Sequence, residues 1–238
     1  MPEVIFNGAD GRLEGRYHHA PGPNAPLALI LHPHPLHGGT MNNKVVFDVF
    51  HMFARRGFST LRFNFRGVGR SQETFDHGQG ELRDAAAALD WMQQHNANSS
   101  AVWVAGFSFG AWIGMQLLMR RPEVHGFISL ALPANMYDFG FLAPCPSSGL
   151  IVHGEKDALV PTDSVERLVQ KLHQQRGIKI DLEVIAGADH FFNGCPEELE
   201  TTIERYLDHA LSAPVAKAPQ PRTGAQRGAP QKAVAAAR

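Results

Sequence analysis

Residues 104–112 read Val-Ala-Gly-Phe-Ser-Phe-Gly-Ala-Trp, and at their centre Gly106-Phe107-Ser108-Phe109-Gly110 spells G-x-S-x-G. A chain of this length carries that pattern by chance about one time in ten, so its neighbours must decide. Ala101–Ala105 is an apolar run of strand length, and Phe109-Gly110-Ala111-Trp112-Ile113-Gly114 opens a helix that Pro122 must stop after Arg120. A serine on such a strand-to-helix corner has a strained backbone. Its flanking glycines let the strand and helix approach closely, and its Oγ is pushed up at the carboxyl edge of the sheet. It also stands at a helix N-terminus, where developing negative charge is favoured. The plainer reading is a serine that only caps the helix.

The same alternation runs along the chain. Residues 3–19 predict a short antiparallel pair turning at Asn7–Gly11. Leu27–Leu31, LALIL, reads as a strand covered on both faces. After the loop HPHPLHGGTMNN (32–43), Val45, Val46, Val49, Phe53 and Ala54 recur at helical spacing over Lys44–Arg56, with Gly57 as a C-terminal cap. Strands are expected at Phe58–Phe65, Phe127–Leu132, Gly149–Val152 and Ile180–Ile185, and helices at Glu81–His95, Pro161–Gln175 and Pro196–Leu211. In the last of these, Pro196 suits a first helical position and Glu197, Glu198 and Glu200 suit the positive end of the dipole. Such an order predicts an α/β fold with a mostly parallel sheet and helices on both faces. The sixteen residues 132–147 are too few for a sizeable lid.

With 44% hydrophobic and 19% charged residues, the 238-residue chain has an ordinary globular profile and enough length for a large core. Two cysteines, Cys145 and Cys195, cannot form a disulfide framework. The start MPEVIFNGADG lacks a basic segment followed by an apolar run, and no apolar stretch reaches membrane length, so a cytoplasmic protein without a transmembrane segment is expected. Residues 212–238 carry Lys217, Arg222, Arg227, Lys232 and Arg238 and no acid, so the formal net charge of −1 leaves −6 on residues 1–211. That Ala- and Pro-rich tail is expected to be disordered, and 1–211 to form the domain.

A serine alcohol needs a base to take its proton, and the base needs an acid to orient it. His190 lies in Gly187-Ala188-Asp189-His190-Phe191-Phe192, after one late strand, and Asp157 in His153-Gly154-Glu155-Lys156-Asp157-Ala158-Leu159-Val160-Pro161, after another. Both project from the same end of the sheet as Ser108, where open α/β sheets place ligands. Asp189 is adjacent to His190 and reaches it poorly, Glu155 is the next-best acid, and Asp163 reads as the start of a helix.

These motifs resemble the α/β-hydrolase superfamily in order and spacing, over residues 3–210. HPHPLHGGTMNNK (32–44) and FNFRGVGRS (63–71) are similar to loops of small bacterial hydrolases near the dienelactone hydrolases. The resemblance implies Ser108 as nucleophile, His190 as base and Asp157 as its acid. Dienelactone hydrolases proper use a cysteine nucleophile, so their chemistry is not the first expectation here.

An oxyanion needs two N–H groups, one from Phe109 and one from the loop after LALIL. Pro33 and Pro35 have none, and His34 stands where the superfamily donor follows a His-Gly pair; Gly38 or Gly39 is the alternative. His32, His34 and His37 also read as a metal cluster, but with no carboxylate in the loop a role in shaping a pocket or in hydrogen bonding within the loop is favoured and no metal or cofactor is expected. Arg66-Gly67-Val68-Gly69 lacks the spacing of a nucleotide loop and places Arg66 in a structural ion pair. No nucleic-acid partner is expected. Phe107, Phe109, Met136, Tyr137, Phe139, Phe141, Phe191 and Phe192 are candidates for an apolar acyl pocket, with Phe107 and Phe192 equally suited to the core.

The expected function is a serine hydrolase acting on small or medium carboxylic esters or thioesters. Perhydrolase or haloperoxidase-like chemistry and acyl transfer use the same triad. A binding protein of hydrolase fold and a metal-dependent hydrolase are further alternatives.

Overall fold

The computed structural model describes residues 2–212. The expected domain end at 211 falls at the last residues of the final helix, and the predicted tail lies outside the described residues from 213 onward. Among these residues eight strands form one sheet: β1 (Glu3–Asn7), β2 (Arg12–His18), β3 (Leu27–Leu31), β4 (Ser59–Phe63), β5 (Val102–Phe107), β6 (Val124–Leu130), β7 (Gly149–Gly154) and β8 (Ile180–Ile185). Their order is β1-β2-β4-β3-β5-β6-β7-β8. β1 pairs antiparallel with β2, and β2 with β4; every other pair is parallel.

Among the described residues five helices cover the sheet: α1 (Lys44–Arg55), α2 (Gln79–His95), α3 (Phe109–Leu118), α4 (Thr162–His173) and α5 (Pro196–Ser212). The strand period of two separates two cores. Leu29 and Leu31 face the side packed by Leu89 and Met92 of α2, Ile113 and Leu117 of α3, and Val165 and Val169 of α4. Ala28 and Ile30 face Val46, Val49 and Phe53 of α1 and Ile203 and Leu207 of α5. That is why LALIL is apolar without alternation: both of its faces are buried.

The chain leaves β3 toward β4 on one side and leaves β5 toward β6 on the other. The carboxyl ends of β3 and β5 therefore flank the point where the winding reverses, the place where such sheets open a crevice. Beside it, Arg66 is 4% exposed and grips Asp84, 2% exposed, with Nε on Oδ2 at 3.0 Å and Nη2 on Oδ1 at 2.7 Å. This is the structural ion pair expected for Arg66; it fixes the turn after β4 against α2.

The segment between β6 and β7 holds a single 3-10 turn, Gly140–Leu142, and no lid.

Candidate active site

Ser108 links β5 directly to α3. Its φ of 54° and ψ of −119° lie in a region that a side chain rarely adopts. Its N–H donates to the Leu130 carbonyl of β6 at 2.8 Å, and its carbonyl accepts from Ala111 N–H at 2.9 Å. The strained residue is thus held by the strand on one side and the helix on the other. Ser108→Gly is expected to raise stability by about 1 kcal/mol, because glycine adopts positive φ freely, while removing the hydroxyl. Urea denaturation checks this; a loss of stability would show that the corner stores no strain.

His190 brings the second group. It is 6% exposed, with Nε2 3.0 Å from Ser108 Oγ and Nδ1 2.7 Å from Asp157 Oδ2. Asp157 Oδ1 accepts from Leu159 N–H at 2.8 Å and Val160 N–H at 2.9 Å. Burial pushes the Asp157 carboxyl upward, but the hydrogen bonds from His190, Val160 and Leu159 outweigh it and hold the group below its ordinary value. The competing acids are occupied. Asp189 accepts from Phe191 N–H at 3.0 Å and Asn193 N–H at 2.9 Å, which folds the loop behind His190. Glu155 accepts from Gly187 N–H at 2.8 Å and ties the two loops together. Asp163 lies in the first turn of α4 and pairs with Arg167.

The loop after β3 lies against the start of α3. The His34 ring is 5.0 Å from the Phe109 ring. Among the described residues neither the Phe109 N–H nor the His34 N–H donates to another protein group, whereas Gly39 N–H is engaged by the His34 carbonyl at 3.0 Å. Of the two glycines weighed against His34, Gly39 therefore has no free donor. Two residues that the sequence reading did not single out hold this loop. Asn64 Oδ1 accepts from Met41 N–H at 2.8 Å, and Arg62 Nη1 donates to the Met41 carbonyl at 2.6 Å. A basic and an amide side chain inside the apolar run LRFNF were the available signal.

His32 is fully buried, and both ring nitrogens are used: Nδ1 lies 2.6 Å from the Pro33 carbonyl, and Nε2 accepts from Phe65 N–H at 3.0 Å. It cannot join His34 and His37 around a metal without breaking these bonds. Burial also pushes its pKa from 6.5 down to about 4. Between those values the unfolded chain binds the extra proton and the folded chain does not. Stability therefore falls as pH falls through that window, by about 3 kcal/mol in all. Denaturation curves near pH 7 and near pH 4 should show this loss reduced in His32→Asn. An equal loss in both proteins would assign the acid sensitivity elsewhere.

The candidate pocket residues divide. Met136 is 53% exposed and Phe191 48% exposed, and the Phe191 ring stands 5.2 Å from that of His190. Tyr137 stacks on Trp112 at 4.2 Å. Phe107, by contrast, is buried, with its ring 5.5 Å from His190. It packs in the core beside α1 and α5 and supports the histidine instead of lining a pocket. Phe109, Phe139 and Phe192 are likewise buried, and Phe141 is partly buried against the core. The concavities along α2, lined by residues such as Ile5, Trp91 and His95 or His19 and Asn96, do not include the Ser108 site.

Comparison with known proteins agrees with this fold. Residues 17–142 match the family model described as X-Pro dipeptidyl-peptidase (S15 family). The uncharacterized protein RP471 of Rickettsia prowazekii is 54% identical over 211 residues, covering 87% of this chain and 89% of its own. The crystal structure of ATU1826 from Agrobacterium tumefaciens, described as a protein of unknown function, is 59% identical. It superposes with a TM-score of 0.87 over 92% of this chain and 100% of its own. XC6422 from Xanthomonas campestris, described as an α/β serine hydrolase without a lid, is 29% identical with a TM-score of 0.79 over 90% and 96% of the two chains. Among the described residues no helix is long and apolar enough to cross a membrane. With its Ser108 corner, lidless sheet and these relatives, the chain belongs to the S15 family within the α/β-hydrolase superfamily and is a serine hydrolase.

Proposed function

We propose that the protein cleaves small or medium carboxylic esters or thioesters through an acyl-enzyme on Ser108. The observation that carries this reading is the continuous hydrogen-bonded path from Ser108 Oγ through His190 to Asp157, at 3.0 and 2.7 Å. Ser108 Oγ attacks the acyl carbonyl while His190 Nε2 takes its proton. Asp157 keeps the proton on Nδ1, so that Nε2 can act as the base, and stabilises the imidazolium that forms. The tetrahedral oxyanion is received by the N–H groups of Phe109 and His34. As the carbonyl re-forms, the bond to the alcohol or thiol breaks and His190 returns the proton to the leaving group. Water then attacks the acyl-serine by the same route and releases the acid.

Exposed Met136 and Phe191, with half-buried Tyr137, offer apolar surface to the acyl or leaving group. The mechanism uses side chains and backbone alone, and its partner is a small acyl compound. The reading is tested by treating the protein with a fluorophosphonate and mapping the modified peptide. An ester and thioester panel follows, with an Xaa-Pro amide as an arm because the family model's description names that substrate. Modification at Ser108 with ester or thioester turnover supports the proposal. A folded protein that is not modified would overturn it, and turnover confined to the amide would replace the substrate class.

A further inference from the structure

His153 lies on β7, four residues before Asp157. Its side chain is fully buried, and Nε2 lies 2.9 Å from the Val160 carbonyl oxygen. A carbonyl only accepts, so Nε2 carries the proton. In the neutral ring Nδ1 is then bare. It has no hydrogen-bond partner among the described residues and stands 4.0 Å from Asp157 Oδ2, the same oxygen that meets His190 Nδ1. Val160 closes the circuit: its carbonyl accepts from His153 while its N–H donates to Asp157 Oδ1 at 2.9 Å. The titratable groups that face the ring are Asp157 and His190. Burial, opposed by Asp157, holds the ring on the neutral side.

We propose that His153 is a positioning residue for the triad, an inference that rests on the hydrolase reading of Ser108. Its Nε2–H fixes Val160 and, through Val160 N–H, one oxygen of Asp157. Its bare Nδ1 leaves the other oxygen to His190 alone. A donor at Nδ1 would compete with His190 for Oδ2, and loss of the donor at Nε2 would free the loop that carries the acid.

His153→Leu removes both functions of the ring, and His153→Gln keeps a donor near the Nε2 position. In the leucine variant kcat is expected to fall about 30-fold with KM within about twofold, because the acid acts on the transition state and not on substrate binding. The acid limb of its kcat/KM profile should move to lower pH by about half a unit. The glutamine variant should recover kcat to within about threefold of the wild type. The low-field proton resonance of the Asp157–His190 hydrogen bond, which needs no substrate, should persist in the glutamine variant and weaken in the leucine variant. Where the leucine variant does not fold, His153→Asn, too short to reach Val160, replaces it.

An unmoved acid limb with unchanged kcat, or equal losses in both variants with the resonance intact, would overturn the proposal. An unlabelled wild-type protein would instead remove the hydrolase reading, and this inference with it. The fluorophosphonate step, read first, separates the two failures.

Discussion

Ser108→Ala is expected to lower kcat by about 10⁶-fold and Asp157→Asn by about 10⁴-fold, with the fold intact in both. The first loss is the loss of the nucleophile; what remains comes from binding and the oxyanion donors alone. The second follows from hydrogen-bond direction. Asp157 Oδ1 accepts two backbone N–H groups, so an asparagine must keep its carbonyl oxygen there. Its amide nitrogen is then left opposite His190 Nδ1. A donor facing Nδ1 forces the proton onto Nε2, which now donates to Ser108 Oγ and can no longer accept its proton. The variant is thus almost isosteric yet holds the wrong tautomer. Burst and steady-state kinetics on an activated ester, with circular dichroism as the control for folding, check both values. An Asp157→Asn variant within about tenfold of the wild type would mean that another group orients His190.

Much of this site was legible because Ser108, Asp157 and His190 each follow the end of a strand within about five residues. LALIL and AVWVA announce buried strands, and the residues after β5, β7 and β8 must emerge at one edge once the sheet is parallel. The antiparallel pair at residues 3–19 was equally plain, since its turn residues separate two short runs. Strand ends were less so. β5 runs on to Phe107, past the expected end at Ala105, because Gly106 packs closely against the backbone at the start of α3 and stays in the strand. β6 starts at Val124, earlier than its apolar run, because Gly126 leaves room for the Trp103 ring, 2.7 Å from where a Cβ would stand. α3 stops at Leu118, before the Arg120 expected from Pro122, as Arg120 N–H turns to the Leu117 carbonyl.

The second oxyanion donor proposed here could not be resolved by pattern. Whether His34, Gly38 or Gly39 has a free N–H depends on which way the loop folds back, and the Gly39–His34 bond is a three-dimensional fact. The roles of Arg62, Asn64 and His153 were hidden for a similar reason. A polar side chain in a strand reveals its task only through the carbonyl or N–H it meets in a distant loop.

Gly110→Ala is expected to destabilise the protein by at least about 4 kcal/mol and to abolish activity in whatever folds. A Cβ there would stand 2.4 Å from the Leu31 carbonyl oxygen and 2.6 Å from that of His32. These are backbone atoms at the end of the central strand β3 and cannot swing aside as a side chain tip can. α3 would have to withdraw, and it starts at Phe109, so one of the two oxyanion donors proposed above would move away from the other on the β3 loop. Gly106 faces the same limit from the opposite side, where an added Cβ would stand 2.4 Å from the Gly110 carbonyl oxygen. The two glycines of G-x-S-x-G therefore set how closely the strand, the corner and the helix can pack. Gly114 supplies the control. On the same helix, one turn on, its Cβ would meet only the Val104 side chain at 3.1 Å and Leu31 at 3.6 Å. Small adjustments there, with alanine's better helix propensity, keep Gly114→Ala within about 1 kcal/mol of the wild type. Urea denaturation of the two alanine variants gives the comparison directly. Equal stabilities would mean that α3 can shift along the sheet without penalty, and the spacing of the glycines would then owe nothing to this contact.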